Sequence, residues 1–449
     1  MLSACSSQSS LWDGAIHQRR FGCICESTDK RLAGGKTLKE YLELKRELAQ
    51  RVRERIDYGR EYEDEEIEAA IDDVLLGESL TIYPVELRRR LKKELFDSLR
   101  RLDILQLFME DRSVTEIMIN GMEHIFIERS GQISELDVEF ESIEKLQDVI
   151  QRIVAGCNRV VNEASPIVDA RLADGSRVNI VMNPVALNGP IVTIRRFPER
   201  PIDMQWLIEK DVISQEAADL LKMLVQAGYN IFISGGTGSG KTTLLNVLSR
   251  YIPADERVIT IEDSAELQLQ EIPNLVRLET RNRNEEGCRE ITIRDLIKCA
   301  LRMRPDRIIV GEVRGAEAID MMQCLNTGHD GSMSTGHANS SVDMMARLEN
   351  MILMGMEIPL SAIRQQIASG VDIIVHLGRL RDKSRKVLEI VEVVGCESDE
   401  IRFNTLYEFE EQGQTGGGRV IGRLKKKGGL LHEKKLKTAG FFQEKLLGY

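Results

Sequence analysis

The residues with the clearest chemistry lie in a glycine-rich stretch between an apolar run and a helical pattern. Residues 235–243 fit the spacing G-x-x-x-x-G-K-[ST], which is typical of a phosphate-binding loop. Backbone N–H groups of such a loop, and of a helix that begins after it, bind phosphate oxygens. We therefore predict a phosphate site formed by Gly235, Gly236, Thr237, Gly238, Ser239, Gly240, Lys241, Thr242 and Thr243.

Two side chains of this loop have specific predicted roles. Lys241 is predicted to reach the β- and γ-phosphates of a nucleoside triphosphate, and the Thr242 hydroxyl to bind Mg²⁺. A glycine turn that matches the spacing by chance is the simpler alternative. It does not account for the strand-like run 230–234 before the loop or the helical pattern after it. Binding of a nucleoside triphosphate is therefore the favoured interpretation.

Carboxylates follow two further predicted strands. Glu262 and Asp263 end the apolar run that starts at Val258, and Glu312 follows the run 307–311. Because the carboxyl ends of parallel strands meet at one edge of a sheet, these side chains are expected beside the phosphate loop. There they can hold Mg²⁺ through water or orient an attacking water, although acids at strand ends are often plain loop residues.

The segment 307–312 resembles a Walker B strand with one departure. Gly311 stands where an aspartate usually ends such a strand, so Glu312 is the main candidate for polarising water. The next glycine-rich segment carries His329 and His337 around a short strand centred on Met333. A neutral imidazole can donate a hydrogen bond to a γ-phosphate oxygen and lose it after hydrolysis. Both histidines are therefore predicted to lie at the nucleotide.

Four arginines lie on predicted strands or turns of the region that precedes the loop. An arginine on an exposed strand is most often simply solvated. The functional alternative is charge stabilisation at the phosphates of a neighbouring subunit. The candidates are Arg171, Arg177, Arg195 and Arg196.

Charge and hydropathy limit the possible partners and the location of the protein. The chain has 449 residues and a net charge of −11, and this charge does not favour nucleic acid as a partner. No apolar run approaches the roughly 18–20 residues of a membrane span. The N-terminus lacks the apolar segment of a signal peptide. We therefore expect a cytoplasmic protein.

The pattern along the chain predicts several regions. From about residue 214 helices and strands alternate, which favours a parallel sheet covered on both faces. The predicted order is a disordered segment (1–35), a helical module that is a spacer or docking arm (36–104), a small α/β domain (105–197), a linker (198–213), a nucleotide-binding α/β domain (214–411) and a flexible, partly basic tail (412–449).

Four segments in this order resemble the motifs of secretion ATPases of the type II/type IV (GspE) superfamily. The loop resembles Walker A, Ile-Thr-Ile-Glu-Asp-Ser resembles the Asp box, Arg-Ile-Ile-Val-Gly-Glu resembles Walker B, and Thr-Gly-His-Asp-Gly-Ser-Met-Ser-Thr-Gly-His resembles the His box. The segment 168–179 and the run Leu-Glu-Thr-Arg at 278–281 are similar to the CpaF family, the motors of Flp (tight-adherence) pili. The resemblance covers roughly residues 101–409.

The resemblance implies a fold, a cofactor and partners. The fold would be a RecA-like P-loop domain with a parallel central sheet, preceded by a small PAS-like α/β domain and a helical extension. The protein would form a hexameric ring, bind ATP and Mg²⁺, and dock on integral inner-membrane platform proteins at the inner face of the membrane. Glu262 and Glu312 would handle water and metal, His337 would sense the γ-phosphate, and the arginines would contact phosphate.

Two other functions stay open at this point. A DNA-transfer motor of a related branch would require a basic channel, which the acidic net charge does not favour. A nucleotide-dependent switch would bind ATP with negligible turnover. An ABC-type subunit is disfavoured because no Leu-Ser-Gly-Gly-Gln signature occurs, and a small-molecule kinase would leave the two-histidine loop unexplained.

Overall fold

The computed structural model divides the chain into two compact units, residues 1–200 and 201–449. The predicted disorder of residues 1–35 lies outside the described residues, as does the start of the predicted linker. The rest of that linker contains a short helix, α6 (Met204–Glu209), which begins where the Asp203 carboxylate accepts a backbone hydrogen bond. The described residues are 38–56, 62–77, 84–129, 131–157, 159–196, 202–269, 271–281 and 289–441.

The first unit begins with three amphipathic helices, α1 (Leu38–Arg55), α2 (Asp64–Leu75) and α3 (Val85–Arg100). Leu48, Ile71 and Leu91, one from each helix, are buried together. Apolar residues at helical spacing therefore bury one shared face.

Polar contacts join these helices to the rest of the first unit. Lys145 Nζ and Arg152 Nη2 donate hydrogen bonds to the Ser98 carbonyl near the end of α3, at 2.8 Å and 3.0 Å. Lys145 is buried, so breaking this contact would leave a buried charge without its acceptor. The helical module is thus packed on the small α/β region that follows it.

That α/β region contains a sheet and one long helix. The helix α5 (Ile143–Gly156) follows a short helix, α4 (Leu105–Glu110), and covers one face of the sheet through an apolar core. Neighbouring strands in the sheet are antiparallel, in the order β3-β2-β1-β6-β5-β4. The strands are β1 (Val114–Asn120), β2 (His124–Arg129), β3 (Gln132–Leu136), β4 (Ile167–Arg171), β5 (Arg177–Val181) and β6 (Ile191–Arg195).

The second unit is built on a larger sheet in the order β15-β14-β13-β12-β7-β11-β10-β8-β9. The strands from β12 to β9 in that order pair in parallel, and β13, β14 and β15 add antiparallel neighbours. The strands are β7 (Ile231–Gly235), β8 (Val258–Glu262), β9 (Leu275–Glu279), β10 (Arg307–Val310), β11 (Met333–Gly336), β12 (Ile373–Arg379), β13 (Arg385–Glu397), β14 (Glu400–Gln414) and β15 (Val420–Lys426).

Both faces of the parallel part are covered, as the alternation of helix and strand predicts. Ile231 and Ile233 of β7 belong to the core on one face, whereas Phe232 belongs to the core on the other. The covering helices are α7 (Gln215–Gln226), α8 (Lys241–Ser249), α9 (Ile293–Ala300), α10 (Ala318–Leu325), α11 (Ser341–Gly355) and α12 (Leu360–Gly370).

The predicted flexible tail from residue 412 is wrong over the part that the structure describes. Strand β14 runs to Gln414, the glycines at 416–418 form a turn in which Gly418 has a φ of 80°, and β15 returns antiparallel to β14. A short helix, Lys434–Thr438, follows. The glycine run is therefore the turn of a hairpin. Glycine adopts the positive φ of this turn without the steric cost that other residues meet.

Two lysines of this segment are paired with a carboxylate. Lys425 and Lys427 both contact Glu410, at 2.5 Å and 2.8 Å, so they do not form a free basic patch. Farther along, the buried carboxylate of Glu392 accepts hydrogen bonds from the backbone N–H groups of residues 431 and 432. These contacts hold the segment on the sheet. Among the described residues, no helix combines the length and apolar character that crossing a bilayer requires.

Candidate active site

The site lies at the carboxyl edge of the parallel strands. β7 pairs in parallel with β11, β11 with β10, and β10 with β8. The phosphate loop, His337, Glu312 and Glu262 come at or just after the carboxyl ends of these four strands. A shared strand direction therefore gathers groups that are up to about a hundred residues apart in sequence.

The backbone of the loop between β7 and α8 has positive φ angles at several of its glycines. Gly240 has a φ of 103° and directly precedes the first residue of α8. At Gly235, whose φ is 154°, a Cβ would lie 2.3 Å from the Leu377 carbonyl oxygen of the neighbouring β12. The unpaired N–H groups at the start of α8 thus face the loop, which is the arrangement expected for phosphate binding.

Lys241 lies on the inside of this loop. Its Nζ donates hydrogen bonds to the carbonyls of Gly235 at 3.1 Å and Gly236 at 3.0 Å, and lies 3.3 Å from His337 Nδ1. Burial lowers the pKa of Lys241, and the negative charge of Glu312 partly opposes this shift. The ammonium group is therefore held close to the loop and to His337.

His337 joins Lys241 to Glu312. Because the ammonium group of Lys241 can only donate, His337 Nδ1 is the acceptor of that contact and Nε2 carries the proton. Nε2 lies 2.9 Å from Glu312 Oε1. Burial lowers the pKa of His337, as does the charge of Lys241, while Glu312 raises it. The neutral ring is thus a bridge between a cation and an anion, with Nε2 close to Glu312 Oε1 but outside hydrogen-bond geometry.

The other Glu312 oxygen faces an arginine. Arg314 Nη2 lies 3.0 Å from Glu312 Oε2, and Nη1 lies 3.7 Å from Asp263 Oδ2. Arg314 and Asp263 are largely exposed, so this second contact contributes little to stability. The structure therefore places Asp263 at the rim of the site.

Unlike the carboxylate of Glu312, the carboxylate of Glu262 is held by backbone N–H groups in the protein interior. Glu262 is 3% exposed, and its Oε1 accepts hydrogen bonds from the backbone N–H groups of Glu266 at 2.8 Å and Leu267 at 2.9 Å. A Cβ at Gly311 would lie 2.9 Å from Glu262 Cγ. The glycine in place of the usual aspartate is therefore explained by the space that Glu262 occupies.

The prediction that His329 lies at the nucleotide is not supported by its position. His329 precedes β11, whereas His337 follows it, so the two histidines are at opposite edges of the parallel sheet. His329 Nδ1 lies 3.3 Å from the Cys324 carbonyl and 3.4 Å from Thr327 Oγ1. The predicted strand between the two histidines is present, and its length of four residues places the histidines at its two ends.

The four arginines of the first unit divide into two groups. Arg196 Nη1 donates hydrogen bonds to the carbonyls of Val114 and Phe108 in its own unit, at 3.2 Å and 3.4 Å, which indicates a structural role. By contrast, Arg171, Arg177 and Arg195 are direct partners across β4, β5 and β6. Glu116 of β1 is the cross-strand partner of Arg195 on the other side of β6 and supplies an opposite charge. This row, Arg171–Arg177–Arg195, is called the arginine row below.

Two residues of the second unit contact the loop or its strand and were missed by the sequence analysis. His376 of β12 is 6% exposed, and its Nδ1 lies 2.8 Å from Ser234 Oγ, the residue before the loop. Arg385 of β13 donates from Nε to the Gly238 carbonyl at 2.8 Å. No spacing rule links them to the loop, because the contacts arise only from the pairing of β12 with β7 and β13.

Comparison with known proteins identifies the family. The family model described as "Type II/IV secretion system protein" matches residues 100–421. The chain belongs to this family. The helices α1 and α2 precede the matched region.

The chain is also similar to several individual proteins. The conjugal transfer protein TrbB of Rhizobium radiobacter is 32% identical over 325 residues, 72% of this chain and 96% of the relative. The type IV secretion system protein PtlH of Bordetella pertussis is 31% identical over 318 residues, 64% of this chain and 93% of the relative. The VirB11 ATPase structure from the Brucella suis type IV secretion system is 29% identical, with a TM-score of 0.36, and the match covers 64% of this chain and 95% of that one.

In this member of the Type II/IV secretion family, the close approach of Gly311 to Glu262 predicts that substitutions at the two positions have non-additive effects on the free energy of unfolding. Gly311→Ala should destabilise the protein by about 2 kcal/mol, because the new Cβ meets a Glu262 side chain whose carboxylate is fixed. In a Glu262→Ala background the same change should cost much less. Chemical denaturation of the four proteins measures both values. Gly429→Ala, where a Cβ meets no described atom within 4 Å, is the control, and an equal cost in both backgrounds would refute the contact.

Because His337 lies between Lys241 and Glu312, substitutions of these two neighbours should shift its pKa in opposite directions. The midpoint of the His337 imidazole should lie below that of histidine in an unfolded peptide. Glu312→Gln should lower the midpoint further, since it removes a negative charge, whereas Lys241→Met should raise it by removing a positive one. NMR titration of the ring nitrogens measures each midpoint, and shifts of the same sign in both variants would contradict this geometry.

Proposed function

We propose that this chain is an ATP-hydrolysing motor of a type II/type IV secretion system and that it drives assembly of a Flp pilus. The observation that carries the proposal is the bridge from Lys241 through His337 to Glu312, with distances of 3.3 Å and 2.9 Å. It connects the group expected to bind phosphate with the group expected to activate water.

The residues of the loop fit a magnesium-bound triphosphate. The backbone N–H groups at the start of α8 and the Lys241 ammonium would hold the phosphates, and the Thr242 hydroxyl would bind Mg²⁺. Bound Mg²⁺ would neutralise charge on the phosphate oxygens. Glu312 would orient the attacking water, and the backbone bonds to Glu262 fix a second carboxylate at the same edge.

The contacts of Lys241 suggest how nucleotide binding reaches Glu312. A phosphate would compete with the carbonyls of Gly235 and Gly236 for the Lys241 ammonium. Any shift of that ammonium changes the partner of His337 Nδ1, and the same ring contacts Glu312 through Nε2. Loss of the γ-phosphate after hydrolysis would therefore change the surroundings of Glu312 through a single side chain, His337.

Larger assembly is part of the proposal. The motifs resemble those of the CpaF branch, which implies a hexameric ring on inner-membrane platform proteins. The arginine row would stabilise phosphate charge in a neighbouring subunit, which is the role that the resemblance implies for these arginines. Opening and closing around the nucleotide would then move the platform.

A DNA-transfer motor is the second candidate. It is favoured by relatives such as TrbB, whose name places it in conjugal transfer. Against it stand the net charge of −11 and the pairing of Lys425 and Lys427 with Glu410. DNA binding that weakens with salt and DNA-stimulated turnover would favour this candidate.

Hydrolysis is tested by Glu312→Gln. The substitution keeps the size of the side chain and removes the carboxylate, so the ATPase rate should fall about hundredfold while ADP affinity stays within a few-fold. Phosphate release and calorimetric binding measure the two quantities. Glu317→Gln is the matched control, because Glu317 accepts backbone hydrogen bonds from Arg314 and Gly315 that a glutamine oxygen can also accept.

If the Glu312→Gln variant hydrolysed ATP at the parent rate, Glu312 would not be the group that activates water. If the parent protein bound ATP but did not hydrolyse it, alone or with membrane partners, the chain would be a switch and not a motor.

Sharing of sites between subunits is tested by mixing two inactive variants. Arg177→Ala keeps the phosphate loop but interrupts the arginine row, and Lys241→Ala keeps the row but disables the loop. If the row acts on a neighbour, the mixture should hydrolyse ATP faster than either variant alone at the same total concentration. A mixture no faster than the separate variants would mean that each site is completed within one chain.

A further inference from the structure

We propose that Arg385 is a positioning residue that aims a backbone N–H of the phosphate loop at the bound phosphates. The inference deepens the proposed function and rests on it, because it concerns affinity for the phosphate chain of a nucleotide. Arg385 opens β13, the strand on the far side of β12 from the loop strand β7.

The contact is made to the outer side of the loop. Arg385 Nε donates to the Gly238 carbonyl at 2.8 Å. In a planar trans peptide the carbonyl of one residue and the N–H of the next point in opposite directions. Holding the Gly238 carbonyl towards Arg385 therefore turns the N–H of Ser239 away from Arg385.

The structure shows where that N–H points. Ser239 N–H donates to the Gly236 carbonyl at 3.3 Å, and Lys241 Nζ donates to the same oxygen at 3.0 Å. The Ser239 N–H and the Lys241 ammonium thus converge on one point inside the loop. A phosphate oxygen that replaced this carbonyl would meet both donors.

The loop tip is open on the side where Gly238 would carry a side chain. A Cβ at Gly238 would meet no atom within 4 Å among the described residues, and this glycine has a φ of 69°. Closer to α8, a Cβ at Gly240 would lie 3.8 Å from both Arg385 Cδ and Leu377 Cδ2. The arginine therefore supports the loop at two points, through its stem at Gly240 and through its guanidinium at Gly238.

A charged donor also strengthens the peptide as a donor. A guanidinium on the carbonyl withdraws electron density from the peptide group, so the N–H on its other side becomes a better hydrogen-bond donor to an anion. Because Arg385 is exposed, solvent screens its direct charge effect on a phosphate. Orientation of the peptide is thus the main contribution.

The chain supplies a matched control. Arg379 of β12 is the direct cross-strand partner of Arg385 and is also exposed. Within the described part of the chain, no hydrogen bond joins Arg379 to the loop. Removing Arg379 therefore changes the net charge and the local potential as removing Arg385 does, but leaves the loop contact in place.

The test compares Arg385→Ala, Arg385→Lys and Arg379→Ala in the full-length protein. Calorimetry with Mg-ADP and with inorganic pyrophosphate should show affinity about fivefold weaker in Arg385→Ala and within twofold of the parent in Arg379→Ala. The KM for ATP should rise by the same factor as the Kd, with kcat changed less than twofold. Arg385→Lys, which retains a donor, should recover part of the loss.

The outcomes separate this inference from the proposed function. Equal effects of Arg385→Ala and Arg379→Ala would overturn it, since charge alone would explain them. Parent affinity in Arg385→Ala would overturn it as well, and so would a fall in kcat at unchanged KM. If the parent protein bound neither ADP nor pyrophosphate, the proposed function would fail and this inference with it. Thermal unfolding of each variant shows whether the fold is retained.

Discussion

The parallel pairing of β7, β11, β10 and β8 is the constraint on which the rest of the second unit depends. Parallel strands share a direction, so each carboxyl end must emerge at the same edge of the sheet. A register slip of one residue in a buried strand would reverse which side chains face each core. Because all five residues of β7 and of β8 are buried, such a slip is strongly disfavoured. The position of the candidate-site groups is therefore set by burial of the strands that lead directly to them.

Electrostatic interactions at this edge couple the charges of the neighbouring side chains. A buried lysine, a neutral histidine and a carboxylate lie in contact, and the pKa of the histidine is shifted in opposite directions by its two neighbours. In such a coupled set a change of charge at one member alters the preferred proton positions of the others. Under the proposed function, such a site would respond to a single phosphate group without a large change of structure.

Much of this could be predicted from the sequence, because the relevant signals are local. A glycine loop between a strand and a helix has a fixed spacing, and acids that follow apolar runs lie at strand ends. His329 was misplaced although the strand between the two histidines was predicted, because the two ends of a strand in a parallel sheet lie at opposite edges and only one edge carries the phosphate loop. The tail was misjudged because a glycine run between charged segments is common to flexible tails and hairpin turns. Arg385 and His376 could not be found, since their contacts depend on strand pairing between distant segments.

If His337 makes the site sensitive to the γ-phosphate, as proposed, the relative affinity for ADP and ATP should depend on its imidazole ring. The measurement is the ratio of the Kd for Mg-ADP to the Kd for a non-hydrolysable Mg-ATP analogue, in the parent protein and in His337→Ala. Our account predicts a ratio of about ten in the parent that falls towards one in the variant, with ADP affinity little changed. An unchanged ratio in His337→Ala would contradict the account.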